Sequence, residues 1–294
     1  MKIVVLGAAG QLGRDLCPRL ATLGEVVPLS RADIDLAAHE STFAAVAGLT
    51  PDVFINCAAY NLVDKAEGEP EVAFAVNAVG VELLARACAG VGAKLVHFST
   101  DYVFGADATR ATPLAETDPP GPVSVYGASK LRGEQAALAA SPAHLAIRTC
   151  GLYGVWGSGG KGGNFVETML RVASQGKPLR VVHDQRCTPS YTADVADATV
   201  CLLEKGASGL FHVTNGGACS WYELASEIFR QSGVTADLTP ITSAEFGAKA
   251  RRPLYSVLST RKLTDFGTPA PRPWAEALAA YLAERRTRVS NARA

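Results

Sequence analysis

The chain of 294 residues has two methionines, three tryptophans and no excess of charge: 28 lysines and arginines balance 28 aspartates and glutamates. A net charge of zero provides no field that would gather a polyanion. Neither nucleic acid nor a membrane is expected as a partner, and any anionic ligand must be held by local groups. The seven cysteines (Cys17, Cys57, Cys88, Cys150, Cys187, Cys201, Cys219) are scattered, with no C-x-x-C pair. This spacing excludes a clustered thiolate metal site, so no metal ligands are assigned, and it fits free thiols in a reducing cytoplasm. No basic segment followed by an apolar stretch opens the chain, so no secretory leader is expected. No apolar run approaches the length of a membrane span.

What is present is an ordinary globular composition, 48% hydrophobic and 19% charged, enough for one large domain with a smaller appendage. Short β-branched runs at 3–6, 25–29, 52–56, 94–99 and 144–148 read as strands. Segments 71–89 and 126–140 have helical spacing. This alternation predicts an α/β fold, a Rossmann-type doubly wound parallel sheet with a smaller C-terminal substrate-binding domain. The dinucleotide-binding domain is expected over 1–150, with segments around 179–205 returning to it, and the substrate-binding region mainly over 151–294. Further helices are expected at 166–173, 195–203, 221–231 and 273–285. Ser220 and Glu223 form a capping box for the third of these. The tail from Arg286 is polar and expected to fray. Two loops stand out: 105–123, with four prolines, and 154–163, with six glycines around Trp156 and Lys161, a candidate lid.

Gly7-Ala-Ala-Gly10-Gln11-Leu12-Gly13 lies between a strand and a helix. Glycines there let the backbone approach a pyrophosphate, and the helix N-terminus offers free N–H groups. The second strand ends in Ser30-Arg31, where an acidic residue would favour NAD. A hydroxyl and a guanidinium suit a 2′-phosphate, so NADPH is expected, with NADH also admissible. Asp35 and Leu36 follow, near where the adenine would lie. Small residues after the third strand, Ala58 and Ala59 before Tyr60, allow a cofactor close to the sheet.

Tyr126 and Lys130, four residues apart, share a helix face. A nearby ammonium lowers a phenol's pKa and makes it a usable proton donor. Ser99-Thr100 closes the fourth strand, placing hydroxyls at the carboxyl end of the sheet. Arg252, before Pro253, suits a diphosphate or else a salt bridge. His97 reads as a core histidine and Trp221 as core packing at a helix start.

With these motifs the chain resembles the extended short-chain dehydrogenase/reductase superfamily and, within it, the dTDP-4-dehydrorhamnose reductases. The narrower likeness rests on Cys57-Ala-Ala-Tyr-Asn-Leu-Val-Asp-Lys-Ala-Glu67, Ser99-Thr-Asp-Tyr-Val-Phe104, Tyr126-Gly-Ala-Ser-Lys130, Arg148-Thr149, Gly163-Asn164-Phe165, Asp184-Gln185 with Thr188-Pro189, and Arg252-Pro253. The resemblance implies reduction of the C4 keto group of dTDP-4-dehydro-L-rhamnose. Tyr126 would protonate the sugar oxygen, Lys130 would hold the nicotinamide ribose, and Thr100 would bond the carbonyl. It further implies cofactor contacts at Gly10, Gln11, Leu12, Asp35, Leu36, Ala58, Ala59 and Tyr60, and sugar contacts at Val63, Asp101 and Asn164.

Two positions depart from that pattern. A tryptophan often found two residues after Arg148-Thr149 is Gly151 here, and Trp156 is the candidate replacement. A carboxylate at a magnesium-linked dimer contact is matched by Ala193, which leaves Mg2+ and a homodimer open. Alternatives are a reductase of another nucleotide-linked 4-keto-6-deoxysugar, one giving the opposite C4 epimer, an epimerase or dehydratase holding NAD, and a non-catalytic NADP-binding regulatory subunit.

Overall fold

The computed structural model describes residues 1–39, 42–157 and 163–291. Six parallel strands form the main sheet: β1 (Lys2–Leu6), β2 (Glu25–Leu29), β3 (Val53–Asn56), β4 (Lys94–Thr100), β5 (Leu145–Thr149) and β7 (Gly209–His212), in the order β7-β5-β4-β3-β1-β2. Strand order reverses between β1 and β3, so the crevice at their carboxyl ends is where such sheets bind ligands. Pro28 lies on edge strand β2, where its missing N–H costs no ladder bond.

The strands are nearly continuous apolar runs because helices cover both faces. Along β1, Ile3 and Val5 join the core under α1 (Gln11–Leu20) and α6 (Thr192–Glu204). Val4 and Leu6 join the opposite core, under α2 (Thr42–Leu49), α3 (Pro70–Gly90) and α4 (Val125–Ala140). A two-residue side-chain period sends neighbours to opposite faces. α3 opens on Pro70 and carries a π-helical turn at Ala75–Val79. It corrects one expectation, since by length and composition it could cross a membrane. Half of its most apolar stretch is buried inside the protein. Val81, Leu84 and Ala85 pack into the sheet core, which accounts for its apolar character.

The rest of the chain forms a smaller lobe. α5 (Phe165–Ser174), α7 (Trp221–Ser232) and α8 (Trp274–Asn291) pack with β6 (Leu179–Val182) and β8 (Leu238–Ile241), which pair in parallel. The expected return of 179–205 to the large domain is split. β6 pairs with β8 and stays in the small lobe, while α6 packs on the large sheet, which β7 joins just beyond the expected segment. The helix expected over 273–285 extends to Asn291, because Glu284 pairs with Arg288 across one more turn. Of the candidate lid, residues 158–162, including Lys161, lie outside the described residues.

α4 is held unusually close to its neighbours. A Cβ on Gly133 would lie 1.9 Å from the Asn77 carbonyl oxygen, and one on Gly127 2.2 Å from that of Tyr102. Farther along α4, Glu134 pairs with Arg148 of β5 at 2.6 Å, both side chains buried. Gly133→Ala must push α4 off α3 and is expected to cost at least ~2 kcal/mol in urea denaturation. Gly48→Ala, whose Cβ would meet nothing within 4 Å, is expected instead to gain about 0.5 kcal/mol from helix propensity. Equal effects at the two sites would contradict this packing.

Candidate active site

Three loops meet at the carboxyl end of the sheet. The Gly7 and Ala8 amides donate to the Leu29 carbonyl at 3.0 and 3.1 Å, tying the glycine turn to the end of β2. Gly7 has φ +81°, and a Cβ there would lie 3.0 Å from the Ala58 nitrogen, so the loop after β3 abuts the turn. A Cβ on Gly13 would come within 2.4 Å of the Gly7 oxygen, so α1 starts directly on the turn. No side chain caps α1 at Gly10, which leaves its first N–H groups and positive dipole facing the crevice.

A cavity of about 550 Å³ opens there, lined by the glycine turn, Ala59, Val63, Thr100, Asp101, Tyr126, Lys130 and Gly151. Three of the lining residues, Gln11, Ser99 and Thr149, carry buried polar atoms with no partner. Buried polar groups are normally satisfied. An uncapped helix start, a glycine cradle and orphaned polar atoms together fit a bound dinucleotide.

Tyr126 stands in the first turn of α4, whose N-cap Ser124 accepts from the Gly127 amide at 3.1 Å. The ring of Tyr102 meets the Tyr126 ring edge-on, centroids 5.6 Å apart. Lys130 is 2% exposed, and its Nζ donates to the Phe98 carbonyl at 2.6 Å. The expectation that Lys130 lowers the tyrosine's pKa is corrected. Burial pushes the Tyr126 phenol up to about 12, only partly offset by a hydrogen bond with Thr100, and the Asp101 charge adds to the rise. Burial likewise brings Lys130 down to about 8, against the pull of Glu134 and Cys57. Desolvation disfavours both charges, and it exceeds any effect of the lysine on the phenol.

Thr100 Oγ1 accepts from the Tyr102 amide at 3.2 Å and donates to Asp101 Oδ1 at 3.1 Å. Asp101 Oδ2 accepts from Ser256 at 2.6 Å and from Cys150 at 3.1 Å. Even with these donors, burial raises the Asp101 carboxyl above its ordinary range.

Other expected residues have different work. Asn164 caps α5: its Oδ1 accepts from the Glu167 amide at 3.0 Å and its Nδ2 donates to the Gly154 carbonyl at 2.9 Å. Both ends of its side-chain amide are engaged in local structure. Arg252 forks onto Asp64 at 2.7 and 3.2 Å and holds that carboxylate below its usual range. The salt-bridge alternative is the one realised. Asp35 is engaged by the Ala37 amide and by Arg31, whose side chain is 80% exposed. Leu36 is buried in the core beneath α3. Tyr60 is clamped by Asn77, which accepts from its amide and donates to its carbonyl, both at 2.9 Å.

A second groove, on the other side of the turn, is lined by Ser30, Asp33, Arg14 and Trp156. Ser30 Oγ donates to Asp33 there at 2.8 Å. Among the described lining residues Arg14, on α1, is the cation of this groove, and Arg31 is not one of them. No local pattern in the sequence marks Arg14, which reaches this groove from the helix and not from the strand end. Trp156 therefore does not replace the tryptophan missing at 151. Its indole donates to Asp15 at 3.0 Å and stacks with Arg288 at 3.7 Å. The space at Gly151 is taken by Trp221: a Cβ on Gly151 would lie 3.3 Å from its ring. Trp221 packs at 4.9 Å on Phe165, and both rings line the main cavity.

The family model for the RmlD substrate binding domain matches residues 1–287. The chain is 42% identical over 280 residues to dTDP-4-dehydrorhamnose reductase of Mycolicibacterium smegmatis, covering 94% of this chain and 84% of that protein. It is 41% identical over 285 residues to the spore coat polysaccharide biosynthesis protein SpsK of Bacillus subtilis, covering 97% and 98%. The structure of dTDP-4-dehydrorhamnose reductase from Bacillus anthracis in complex with NADP superposes with a TM-score of 0.90 at 36% identity, over 96% of this chain and 99% of that one.

The buried phenol has a direct spectroscopic consequence. The phenolate absorbance of the protein minus that of Tyr126→Phe is expected to stay flat through neutral pH and up to about pH 10, the ordinary tyrosine midpoint. A difference step at or below pH 9 would mean that another group does lower the pKa.

Proposed function

The chain belongs to the family of the RmlD substrate binding domain, and on that footing we propose that it is an NADPH-dependent oxidoreductase that reduces the C4 keto group of dTDP-4-dehydro-L-rhamnose to dTDP-L-rhamnose. Support comes from the reductase names of its relatives and the NADP complex of one of them. The observation that carries the reading is that Thr100, Tyr126 and Lys130 line one cavity with the glycine turn.

In this reading the turn Gly7–Gly13 and the start of α1, with Gln11 and Leu12, hold the diphosphate of the cofactor. Ala58 and Ala59 flank it, and Lys130 holds the nicotinamide ribose. The 2′-phosphate meets Ser30 and Arg14, in place of the Arg31 expected from sequence. NADPH supplies the hydride. Tyr126, which keeps its proton through the neutral range, gives that proton to the O4 alkoxide as it develops. Thr100 turns its hydroxyl from Asp101 to the same oxygen, where low polarity strengthens the bond. Val63 and Asp101 face the sugar, and the Trp221–Phe165 pair supplies the aromatic wall. Seven unpaired thiols are in keeping with a reducing, cytoplasmic setting.

Adding dTDP-4-dehydro-L-rhamnose is expected to consume NADPH absorbance. Tyr126→Phe should lower kcat by roughly 10²–10⁴-fold, the usual worth of a positioned acid. Full turnover in that variant would refute the assignment. Arg14→Ala should raise KM for NADPH about tenfold, the worth of one charge-assisted hydrogen bond, and leave KM for NADH nearly unchanged. Equal changes for both cofactors would remove Arg14 from the phosphate site.

A further inference from the structure

His97 has no part in the chemistry above, yet it is fully buried behind Lys130, with Asn56 buried on its other side. The three side chains form a line with a definite direction. The Ala58 amide donates to Asn56 Oδ1 at 3.0 Å. That bond fixes the Asn56 side chain, because turning it over would set its NH2 group against the Ala58 N–H. Asn56 Nδ2, a donor only, therefore faces His97 Nδ1 at 3.2 Å. Nδ1 must accept. An accepting Nδ1 carries no proton, and burial holds the imidazole neutral, so its one proton sits on Nε2. Nε2 in turn lies 3.3 Å from Lys130 Nζ. An N–H facing an ammonium sets donor against donor along that contact, whereas an amine offers a lone pair. An amine still has hydrogens to donate to the Phe98 carbonyl at 2.6 Å.

We propose that His97 is a positioning residue: through the fixed direction Ala58→Asn56→His97→Lys130, it favours the amine form of Lys130 beside Tyr126. Other groups facing the lysine are Cys57, at the end of β3, and Glu134, on its own helix. The carboxylate favours the charged form, so His97 works against Glu134 and leaves the lysine near the balance between its two forms. Its lowered pKa agrees with that balance. The proposal goes beyond the reductase reading, since the proton count on Lys130 is a property of the protein alone.

The decisive experiment is nitrogen NMR of ¹⁵N-histidine protein without ligand, with the His97 signals identified by their loss in His97→Phe. The expected result between about pH 7 and 9, a range above the ordinary histidine midpoint, is a protonated Nε2 and a bare Nδ1. Asn56→Asp should reverse the line. A carboxylate accepts both from Ala58 and from His97 Nδ1, which frees Nε2 to accept from an ammonium. In that variant the proton should move to Nδ1. The Lys130 midpoint, followed by ¹⁵Nζ-lysine NMR and identified with Lys130→Met, should rise by at least one pH unit, a tenfold shift. A wild-type His97 protonated on Nδ1, or on both nitrogens, overturns the proposal even if Asn56→Asp fails to fold. An unmoved tautomer in a folded Asn56→Asp overturns it as well. A pH profile of NADPH oxidation on the same proteins bears separately on the reductase reading. If the Lys130 midpoint moves and the profile does not, Lys130 is not acting beside Tyr126.

Discussion

The site depends on how closely α4 can approach the backbone around it. Two glycines decide this: Gly133 where α4 meets the Asn77 carbonyl, and Gly127 where it meets the Tyr102 carbonyl. With any Cβ at those positions the helix would stand off from α3 and from the end of β4. Lys130 would then lose its bond to Phe98, and Tyr126 its edge-on contact with Tyr102. The buried Glu134–Arg148 pair holds the same helix onto β5. Such a pair adds little net stability, but removing one partner strands the other charge, so it acts as a register pin. Backbone proximity, not side-chain adhesion, thus delivers the tyrosine and lysine to the carboxyl end of the sheet.

The second consequence of that proximity is electrostatic. Burial moves each titrating group in the crevice toward its neutral form: Tyr126 and Asp101 upward, Lys130 and His97 downward. A site of this kind does not rely on a standing ion pair to activate its acid. It holds the groups where a charge that develops on a ligand is the least solvated one present, and hydrogen bonds to that charge gain most. Shifts of this sort in a cleft are a mark of function. Here they coincide with the glycine turn and with unpartnered polar atoms on Gln11, Ser99 and Thr149.

Much of this was legible in the chain. The parallel sheet followed from β-branched runs alternating with helical ones, and the helix cap at Ser220–Glu223 from its spacing. The nearness of Thr100, Tyr126 and Lys130 followed from their places at strand end and helix start. Features that depend on distant partners were not legible. Arg252 meets Asp64 across 188 residues, and Trp221 fills the space beside Gly151. No local pattern marks such pairings. Asn164 was read through a motif, when its immediate duty is to cap a helix. The segment 71–89 showed its helical spacing, but not that the helix as a whole reaches the hydropathy and length of a membrane span. The direction of the tyrosine's pKa was missed for a physical reason: spacing reveals a neighbouring charge but not how far both groups are withdrawn from water.

In the proposed reaction a hydride arrives at a sugar carbon while Tyr126 protonates the oxygen on it. Deuterium follows that event directly. With NADPH carrying deuterium at the transferable position and dTDP-4-dehydro-L-rhamnose as substrate, proton and carbon NMR of the product should show dTDP-L-rhamnose labelled at sugar C4 and nowhere else. A product without deuterium, one labelled at another carbon, or the opposite C4 epimer would contradict it.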